Sequence, residues 1–311
     1  MQPLNFEGVK RYSLHDRKSK VSRKDFGKPL EKGGSFGDFL NSLPHILAGL
    51  DFRLIVQALR HARTEKKTII WGIGAHTIKV GLNPIFIDLM KEGYISGILV
   101  NGAGVIHDVE LALSGKTSEE VSSALQDKNF GMAEETGVFV NLAAQKAYDE
   151  KCGFGETLGK MIVEAEPPYL SDSLLGQAYL LNIPITVHVT LGGDIVHIHP
   201  EASGEAIGYA SFRDFQILCR SLSTLGEGSV LLNVGSAVVL PVVLEKGIAV
   251  CRNLGYPVEK FIGVNFDFLQ HYRSSLYPVK RAKELGGEGY QMIGHHEILI
   301  PLLAAALKEQ K

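Results

Sequence analysis

The sequence lacks most of the features that would place it in a specialised class of protein. Its 311 residues include only three cysteines, too few and too scattered for a disulfide framework or a paired-cysteine metal site. No apolar run reaches the ~20 residues of a membrane helix, and the N-terminus has no apolar signal segment. The formal charge of −2 argues against a nucleic-acid-binding protein. These absences predict a cytoplasmic protein that contacts neither membranes nor nucleic acids.

The length and the 45% content of hydrophobic residues predict a globular protein with a substantial core. Residues 1–32 are locally basic and are predicted to form an arm that is solvated or clasps another subunit. Residues 33–311 contain no linker, low-complexity tract or repeat. We therefore predict that they form a single domain.

Residues 68–110 carry the pattern around which the rest of the chain is interpreted. Buried strands are predicted at Thr68–Trp71 and Ile95–Val100, with a helix between them that stops at Gly93. Each strand runs into a loop of small residues. A histidine lies within the first loop, and another follows shortly after the second. The first loop comprises Gly72, Gly74, Ala75, His76 and Thr77; the second comprises Asn101, Gly102, Ala103 and Gly104 and precedes His107 and Asp108.

Further along the chain, helical and apolar segments alternate, giving at least five predicted strands whose carboxyl ends meet small or polar residues. This alternation predicts an α/β fold with a doubly wound, mostly parallel, Rossmann-like sheet. Ligands of such sheets bind at the carboxyl edge of the strands, so both loops are candidate ligand-binding loops. The alternative is that their glycines only make tight turns. A Gly-x-Gly-x-x-Gly fingerprint is absent, because Thr77 occupies the third position after Gly72 and Gly74.

Several motifs resemble the deoxyhypusine synthase family. GETLGKMI and SDSLLGQAYLLNIPITV, followed by TLGGD at 190–194, are similar to the family's central segment and its Thr-Asp-Gly loop. VLLNVGSAVVLP resembles its triple-glycine strand end, FIGVNFDF its Ile-Asn-Thr-Ala strand, and GHHEILIPLLAAAL its terminal segment. Residues 101–108 stand where the family has Thr-Ala-Gly-Gly followed by acidic residues. The resemblance covers roughly residues 33–307 and keeps the order of every loop.

The resemblance implies a homotetramer that binds NAD and acts on a small-molecule substrate. It implies that the cofactor is bound by the two loops named above and by Thr190, Gly192, Gly193, Asp194, Gly235, Ser236, Asn265 and Asp267. The family forms an imine on a lysine in a Trp-Gly-Lys motif, whereas this chain has SSLYPVKRAKELGGEG there. Lys280 and Lys283 lie close by, on a stretch predicted to be a solvated helix. We therefore expect a small amine or other polar metabolite as substrate, without aminobutyl transfer to a protein lysine.

Histidines stand at several loop positions where the family has polar or acidic residues. We predict His107, Asp108 and His295 as catalytic residues, with Asp108 orienting a neutral His107 near the start of a helix at about Val109. The alternative for Asp108 is that it only caps that helix. His197 and His199, like the loop histidines, are also candidate metal ligands. The sequence leaves three possibilities open: an NAD-dependent transferase or oxidoreductase, a metal-assisted hydrolase, and a non-catalytic nucleotide-binding module.

Overall fold

A computed structural model describes residues 1–309, which contain a single six-stranded sheet. The strands lie in the order β3-β2-β1-β4-β5-β6, and every neighbouring pair is parallel. This is the strand order of doubly wound dinucleotide-binding folds, so the predicted fold class is confirmed. The strands are β1 (Ile69–Ile73), β2 (Gly97–Asn101), β3 (Ile185–His188), β4 (Val230–Val234), β5 (Ile262–Asp267) and β6 (Glu288–Ile293).

Helices connect the strands and cover both faces of the sheet. They are α1 (Phe36–Ser42), α2 (Leu47–Thr64), α3 (Ala75–Lys79), α4 (Asn83–Lys91), α5 (Gly102–Ser114), α6 (Val121–Gln126), α7 (Glu134–Glu150), α8 (Phe154–Ala165), α9 (Leu174–Leu180), α10 (Gly204–Leu222), α11 (Val239–Asn253), α12 (Tyr272–Ser274), α13 (Arg281–Glu284) and α14 (His296–Lys308). The segment Ser275–Lys280, which is kinked at the non-helical residue Tyr277, joins α12 to α13.

The core is divided by the sheet into two layers. Trp71 of β1 belongs to the larger layer, where its ring meets Phe86 of α4 at 5.9 Å between centroids. Ile70, its neighbour in β1, points to the other layer and packs with residues of α10 and α11 such as Leu218 and Leu244. All five residues of β1 and of β4 are buried, as expected for central strands covered on both faces.

The structure corrects several predicted boundaries. Strand β1 continues through Ile73, so Gly72 lies inside the sheet and not in the loop. Helix α5 begins at Gly102, seven residues before the predicted start near Val109, because Asn101 caps it. Strand β6 is absent from the prediction, since it is an edge strand whose exposed and buried residues do not form a continuous apolar run.

Asp214 of α10 connects two elements that are distant in sequence. Its carboxylate accepts hydrogen bonds from the N–H groups of Phe154 and Gly155, both at 2.9 Å, and of Val187 at 2.6 Å. The residue is completely buried, and burial raises the pKa of this carboxyl to about 7 even though the three hydrogen bonds lower it. Asp214 thereby holds the first turn of α8 against β3.

The N-terminal 32 residues carry no buried side chain and follow the surface. Two backbone hydrogen bonds attach them to the segment after α1, from Lys28 N–H to the Ser42 carbonyl and from His45 N–H to the Asp25 carbonyl. Across residues 1–309, none of the helices is both long and apolar enough to span a membrane.

Candidate active site

The loops that follow β1 and β4 meet directly at the point where the strand order reverses. Gly74 donates its N–H to the Val234 carbonyl at 2.8 Å, and a Cβ added at Gly74 would lie 2.1 Å from the carbonyl oxygen of Gly235. Glycine is therefore needed at position 74 because two backbone segments approach each other. This close approach, and not a tight turn, accounts for Gly74, whereas Gly72 lies within β1. Their role in cofactor binding stays a prediction.

Beside this junction, side chains from α3, from the segment after β5 and from the start of α14 form a compact polar and aromatic group. The ring of His76, in α3, lies 5.7 Å from that of His296 and 5.4 Å from that of Phe268, measured between centroids. His296 Nε2 is 3.2 Å from the Phe266 carbonyl and 4.0 Å from Asp267 Oδ1. The structure therefore brings His76 and Asp267, both predicted site residues, together with His296, which the sequence did not single out.

Two buried polar atoms of this group have no hydrogen-bond partner within the described chain. They are Nδ1 of His296 and Oδ2 of Asp267, on residues that are 0% and 3% exposed. Burial lowers the pKa of His296, against the opposing effects of the Phe266 carbonyl and Asp267. His296 and Asp267 therefore each keep unused hydrogen-bonding capacity at this edge of the sheet, which is uncommon for buried polar groups.

His295, which was predicted to be catalytic, faces solvent. Its side chain is 70% exposed, and its Nδ1 lies 3.7 Å from Glu297. It stands at the N-cap of α14, so the helix turns His296, the following residue, toward the sheet edge. The ring of His295 also stacks on that of Phe268, 6.5 Å away between centroids, so His295 borders the group from the solvent side while His296 points inward. The catalytic role of His295 stays a prediction.

Behind the junction, two amide side chains pair across β4 and β5. Asn233 Nδ2 donates to Asn265 Oδ1 at 2.7 Å and to the Ser236 carbonyl at 2.9 Å. Ser236 Oγ in turn accepts the N–H of Leu240 at 3.2 Å. Oδ1 of Asn233 and Nδ2 of Asn265 remain without partners in the described chain although both residues are fully buried. Of these, Asn265 and Ser236 were predicted as cofactor-binding residues.

The loop after β2 is shorter than predicted, because α5 starts immediately. Asn101 Oδ1 accepts the N–H of Gly104 at 3.1 Å and so caps the helix. Gly102 packs against Asp194, and a Cβ there would lie 2.0 Å from Oδ2 of that carboxylate. Gly104 faces Asn101 Oδ1 and Ile78 at 3.2 and 3.3 Å. A side chain at Gly104 would therefore press against these two residues of the protein itself. The predicted role of this glycine in admitting a ligand stays a prediction. Ala103 lies between these glycines in the first turn.

The loop after β3 brings Thr190 and Asp194 together. Thr190 N–H donates to Asp194 Oδ2 at 3.0 Å, and burial raises the pKa of this carboxyl. Gly192 adopts a left-handed conformation with φ of 77°, which glycine permits, and its N–H donates to Nδ1 of His197 at 3.2 Å. Gly193 follows in the same turn, its N–H bound to the Thr190 carbonyl at 2.7 Å. This loop is held by its own hydrogen bonds.

The candidate metal ligands do not converge. His199 bonds through Nε2 to the Gly131 carbonyl at 2.8 Å, whereas His197 bonds to the loop after β3. Within residues 1–309, no group of three or more His, Cys, Asp or Glu side chains is placed to hold a metal ion. The hypothesis of a metal-assisted hydrolase therefore receives no support from the arrangement of these side chains.

Asp108 has a different role from the predicted one. Its carboxylate is 1% exposed and accepts hydrogen bonds from Asn83 Nδ2, Ser173 Oγ and the N–H groups of Leu174 and Leu175, at 2.7 to 3.0 Å. Burial raises the pKa of Asp108, and these hydrogen bonds act in the opposite direction. The residue caps the first turn of α9 from a neighbouring helix. The predicted pairing of Asp108 with His107 is wrong, as consecutive residues of a helix point about 100° apart.

His107 is hydrogen-bonded to residues that the sequence analysis did not identify. Its Nδ1 lies 2.6 Å from Thr117 Oγ1, and the Thr117 hydroxyl donates to Glu110 Oε2 at 2.5 Å. Thr136 donates to the other oxygen of Glu110 at 3.4 Å. The i, i+3 spacing of His107 and Glu110 on one helix face was a usable signal, whereas the two threonines come from separate segments. Burial lowers the pKa of His107, which keeps the imidazole neutral near pH 7.

The two lysines in the region that corresponds to the family's lysine motif are both exposed. Lys280 Nζ is 3.6 Å from Glu284 Oε1, and its side chain is 64% exposed. Lys283 is exposed on α13. These positions agree with the solvated helical stretch predicted there.

Comparison with known proteins gives one curated relative and several related folds. No family model matches the chain. A "Probable deoxyhypusine synthase" of Methanosarcina thermophila is 23% identical over 228 residues, which are 63% of this chain and 65% of that protein. The chain thus matches slightly less than two thirds of the length of this relative.

Two solved structures share the fold at low sequence identity. A protein of Entamoeba histolytica that is provisionally assigned as a deoxyhypusine synthase has a TM-score of 0.50 and 12% identity, with 90% of this chain and 95% of that chain covered. The ternary complex of AgrE with ornithine and NAD+ has a TM-score of 0.53 and 15% identity, with 83% and 32% covered. The resemblance to the deoxyhypusine synthase family that the loop sequences predicted is therefore confirmed, in sequence by the Methanosarcina protein and in fold by the Entamoeba structure.

Proposed function

We propose that this chain is a deoxyhypusine-synthase-like enzyme that binds NAD at the carboxyl edge of its sheet and acts on a small amine or another polar metabolite. The observation that carries the proposal is the pair of unpartnered buried atoms, His296 Nδ1 and Asp267 Oδ2, at the β1–β4 switch point. Doubly wound sheets bind their ligands at this point. A buried polar atom without a partner costs about 1–3 kcal/mol, which a ligand hydroxyl or amide would recover.

The chemistry of the two side chains fits a dinucleotide. In NAD-binding folds an acidic side chain accepts a hydrogen bond from a ribose hydroxyl, and the same carboxylate disfavours the phosphate that replaces this hydroxyl in NADP. Asp267 stands at the end of β5 with one oxygen engaged by the Phe268 N–H at 2.9 Å and the other free. A structural neighbour, AgrE, has been solved with ornithine and NAD+ bound, which supports NAD as the first ligand to test.

The test is a calorimetric titration of the full chain with NAD+ and with NADP+. We expect NAD+ to bind and NADP+ to bind more weakly. Asp267→Asn keeps an acceptor for the Phe268 N–H but replaces the free carboxylate oxygen, so its affinity for NAD+ should fall about tenfold, or about 1.4 kcal/mol. Asp149→Asn, on the exposed surface of α7, serves as the matched control. Absence of NAD+ binding, or equal affinity of the Asp267→Asn and parent proteins, would refute the proposal.

We also propose that the active form is a homotetramer. Support comes from the resemblance and from large apolar side chains exposed near the same sheet edge, among them Phe268, Leu269, Tyr272, Ile293 and Ile298. Exposed apolar groups of this size commonly mark contact surfaces. Light scattering after gel filtration measures the mass of the particle directly, and a monomeric mass would contradict this assembly.

A further inference from the structure

A second site lies on the outer face of α5. Helix α5, the segment 116–131 and the start of α7 enclose a cavity of about 640 Å³. Ile106, His107 and Glu110 line it from α5, Thr117 from the covering segment, and Thr136 from α7. The size is sufficient for a small metabolite, since ligand pockets begin at about 300 Å³. Asp108, which points to the other side of the helix, takes no part in this cavity.

The hydrogen bonds in this cavity fix the proton positions on His107. An ionised carboxylate only accepts hydrogen bonds, so Thr117 donates its single hydroxyl proton to Glu110. The Thr117 oxygen must then accept from His107, which places the imidazole proton on Nδ1. A neutral imidazole protonated at Nδ1 has a free lone pair on Nε2. His107 is therefore held as a base, with Nε2 as its accepting atom.

The charges around the cavity favour a cationic ligand. Carboxylates of Glu110, Glu119 and Glu135 line it, together with the single amine of Lys116 among the lining residues. A cleft with an excess of one sign of charge attracts ligands of the opposite sign. Glu110 is the most strongly held of these carboxylates, because Thr117 and Thr136 bind its two oxygens.

We propose that this cavity is the subsite for the amine substrate, and that His107 Nε2 accepts a proton from the substrate's ammonium group. The proposal rests on the proposed function for its reaction, since only a neutral amine has the lone pair that amine oxidation or transfer requires. In this step the N–H bond of the ammonium breaks and an Nε2–H bond forms, which gives a free amine and an imidazolium. Glu110 stabilises the imidazolium through Thr117, so Glu110 and Thr117 are positioning residues.

Helix α3 connects the cavity to the switch point. It packs against α5, the helix that carries His107. Its His76 ring lies 5.7 Å from that of His296, measured between centroids. An amine bound against His107 would thus share α3 as a neighbouring element with the proposed NAD site.

The first experiment measures the tautomer of His107 by long-range ¹H–¹⁵N correlation NMR on the full chain without any ligand. We expect the neutral Nδ1–H form at pH 7 in the parent protein and in Thr117→Ser, which keeps the hydroxyl. Thr117→Val removes the hydroxyl, so its imidazole should shift toward the Nε2–H form. An Nε2–H tautomer in the parent, or the same tautomer in Thr117→Val as in Thr117→Ser, would overturn the assignment of His107 as a positioned base.

The second experiment titrates n-butylamine, n-butanol and n-butyrate, which share a chain but differ in charge, and follows the His107 resonances. We expect saturable binding of butylammonium alone, with at least about tenfold weaker binding to Glu110→Gln. Glu150→Gln, at the exposed end of α7, is the control with the same charge change. Equal binding of the three probes, or no loss in Glu110→Gln, would overturn the amine subsite. NAD+ titration of the same variants separates the two proposals. Binding of NAD+ without binding of the amine would refute only this subsite, and binding of the amine without binding of NAD+ would refute only the NAD proposal.

Discussion

His107 and Asp108 are adjacent in α5, yet their side chains bind opposite parts of the structure. The imidazole of His107 bonds to Thr117 above the outer face of the helix, whereas the carboxylate of Asp108 lies in the core beneath it. One residue is therefore available to a ligand and the other is fully committed to the fold. This separation commits Asp108 to stability and leaves His107 as the residue that the proposed amine subsite can use.

Asp108→Asn is expected to reduce stability and leave NAD+ affinity unchanged. Asparagine replaces one carboxylate oxygen of Asp108 by an NH₂ group, which cannot accept the hydrogen bonds donated by the N–H groups of Leu174 and Leu175. At least one buried charge-assisted hydrogen bond is therefore lost. Such a loss costs about 1.5–3 kcal/mol of the free energy of unfolding. Urea denaturation measures it, with Asp127→Asn on the exposed surface as control. A variant of parental stability would show that Asp108 does not cap α9.

Gly74→Ala should destabilise the protein, while Gly208→Ala should not. The alanine methyl group at position 74 would meet the Gly235 carbonyl at 2.1 Å, so two strand ends must separate, at a cost of about 1–3 kcal/mol or more. Gly208 lies within α10, and a Cβ there meets nothing within 4 Å. Alanine at this helical position should stabilise by about 0.5–1 kcal/mol. Thermal melting of the two variants compares them directly, and equal melting temperatures would contradict the close approach at Gly74.

His188 should contribute a loss in the free energy of unfolding as the pH drops below about 6.5, opposed by buried carboxyls such as Asp214, whose pKa is raised. Burial lowers the pKa of His188 to about 3, below its ordinary value of 6.5. Between these values the unfolded chain binds a proton that the folded chain cannot, so stability present at neutral pH is lost on acidification. The pKa values of His107 and His296 are lowered in the same direction.

His188→Gln removes this titration, so the free energy of unfolding of the variant should lose less on acidification than that of the parent. The slope of interest is that of the free energy of unfolding against pH. In the range where His188 is protonated in the unfolded chain but not in the folded one, this slope should differ between parent and variant by up to about 1.4 kcal/mol per pH unit. Urea denaturation at a series of pH values from neutral to mildly acidic measures both slopes. Parallel curves for the two proteins would show that His188 titrates normally in the fold.

No covalent substrate adduct is expected on Lys280 or Lys283. Lys280 is solvated and paired with Glu284, and the chain has no Trp-Gly-Lys motif. The protein is incubated with NAD+ and labelled spermidine, reduced with borohydride and digested for mass analysis. A label on either lysine would contradict this prediction and indicate aminobutyl transfer by the family's route.

The sheet was predictable from sequence because its central strands are buried on both faces and so read as short apolar runs. The same reasoning missed β6, an edge strand in which only two of the six residues are buried. It also placed the start of α5 too late, since a helix that begins with Gly102, Ala103 and Gly104 has the composition of a loop.

The site residues were less predictable, because most of their roles depend on contacts between distant segments. Gly74 was recognised as special, but the reason for it, the carbonyl of Gly235, becomes visible only when β1 and β4 are paired. His295 and His296 are equivalent in sequence, and only the phase of α14 separates them. Thr136 donates a hydrogen bond to Glu110 from another helix, and no local sequence pattern indicates this contact.

Asp214 has a consequence for how the protein opens. The Asp214 carboxylate, on α10, accepts hydrogen bonds from backbone amides of α8 and of β3. If any one of these three segments moved away alone, buried N–H groups would be left unsatisfied. In native-state hydrogen exchange, the amides of Phe154, Gly155 and Val187 should share one opening free energy. This half of the domain would then exchange as a single cooperative unit, tied together by a side chain rather than by the sheet.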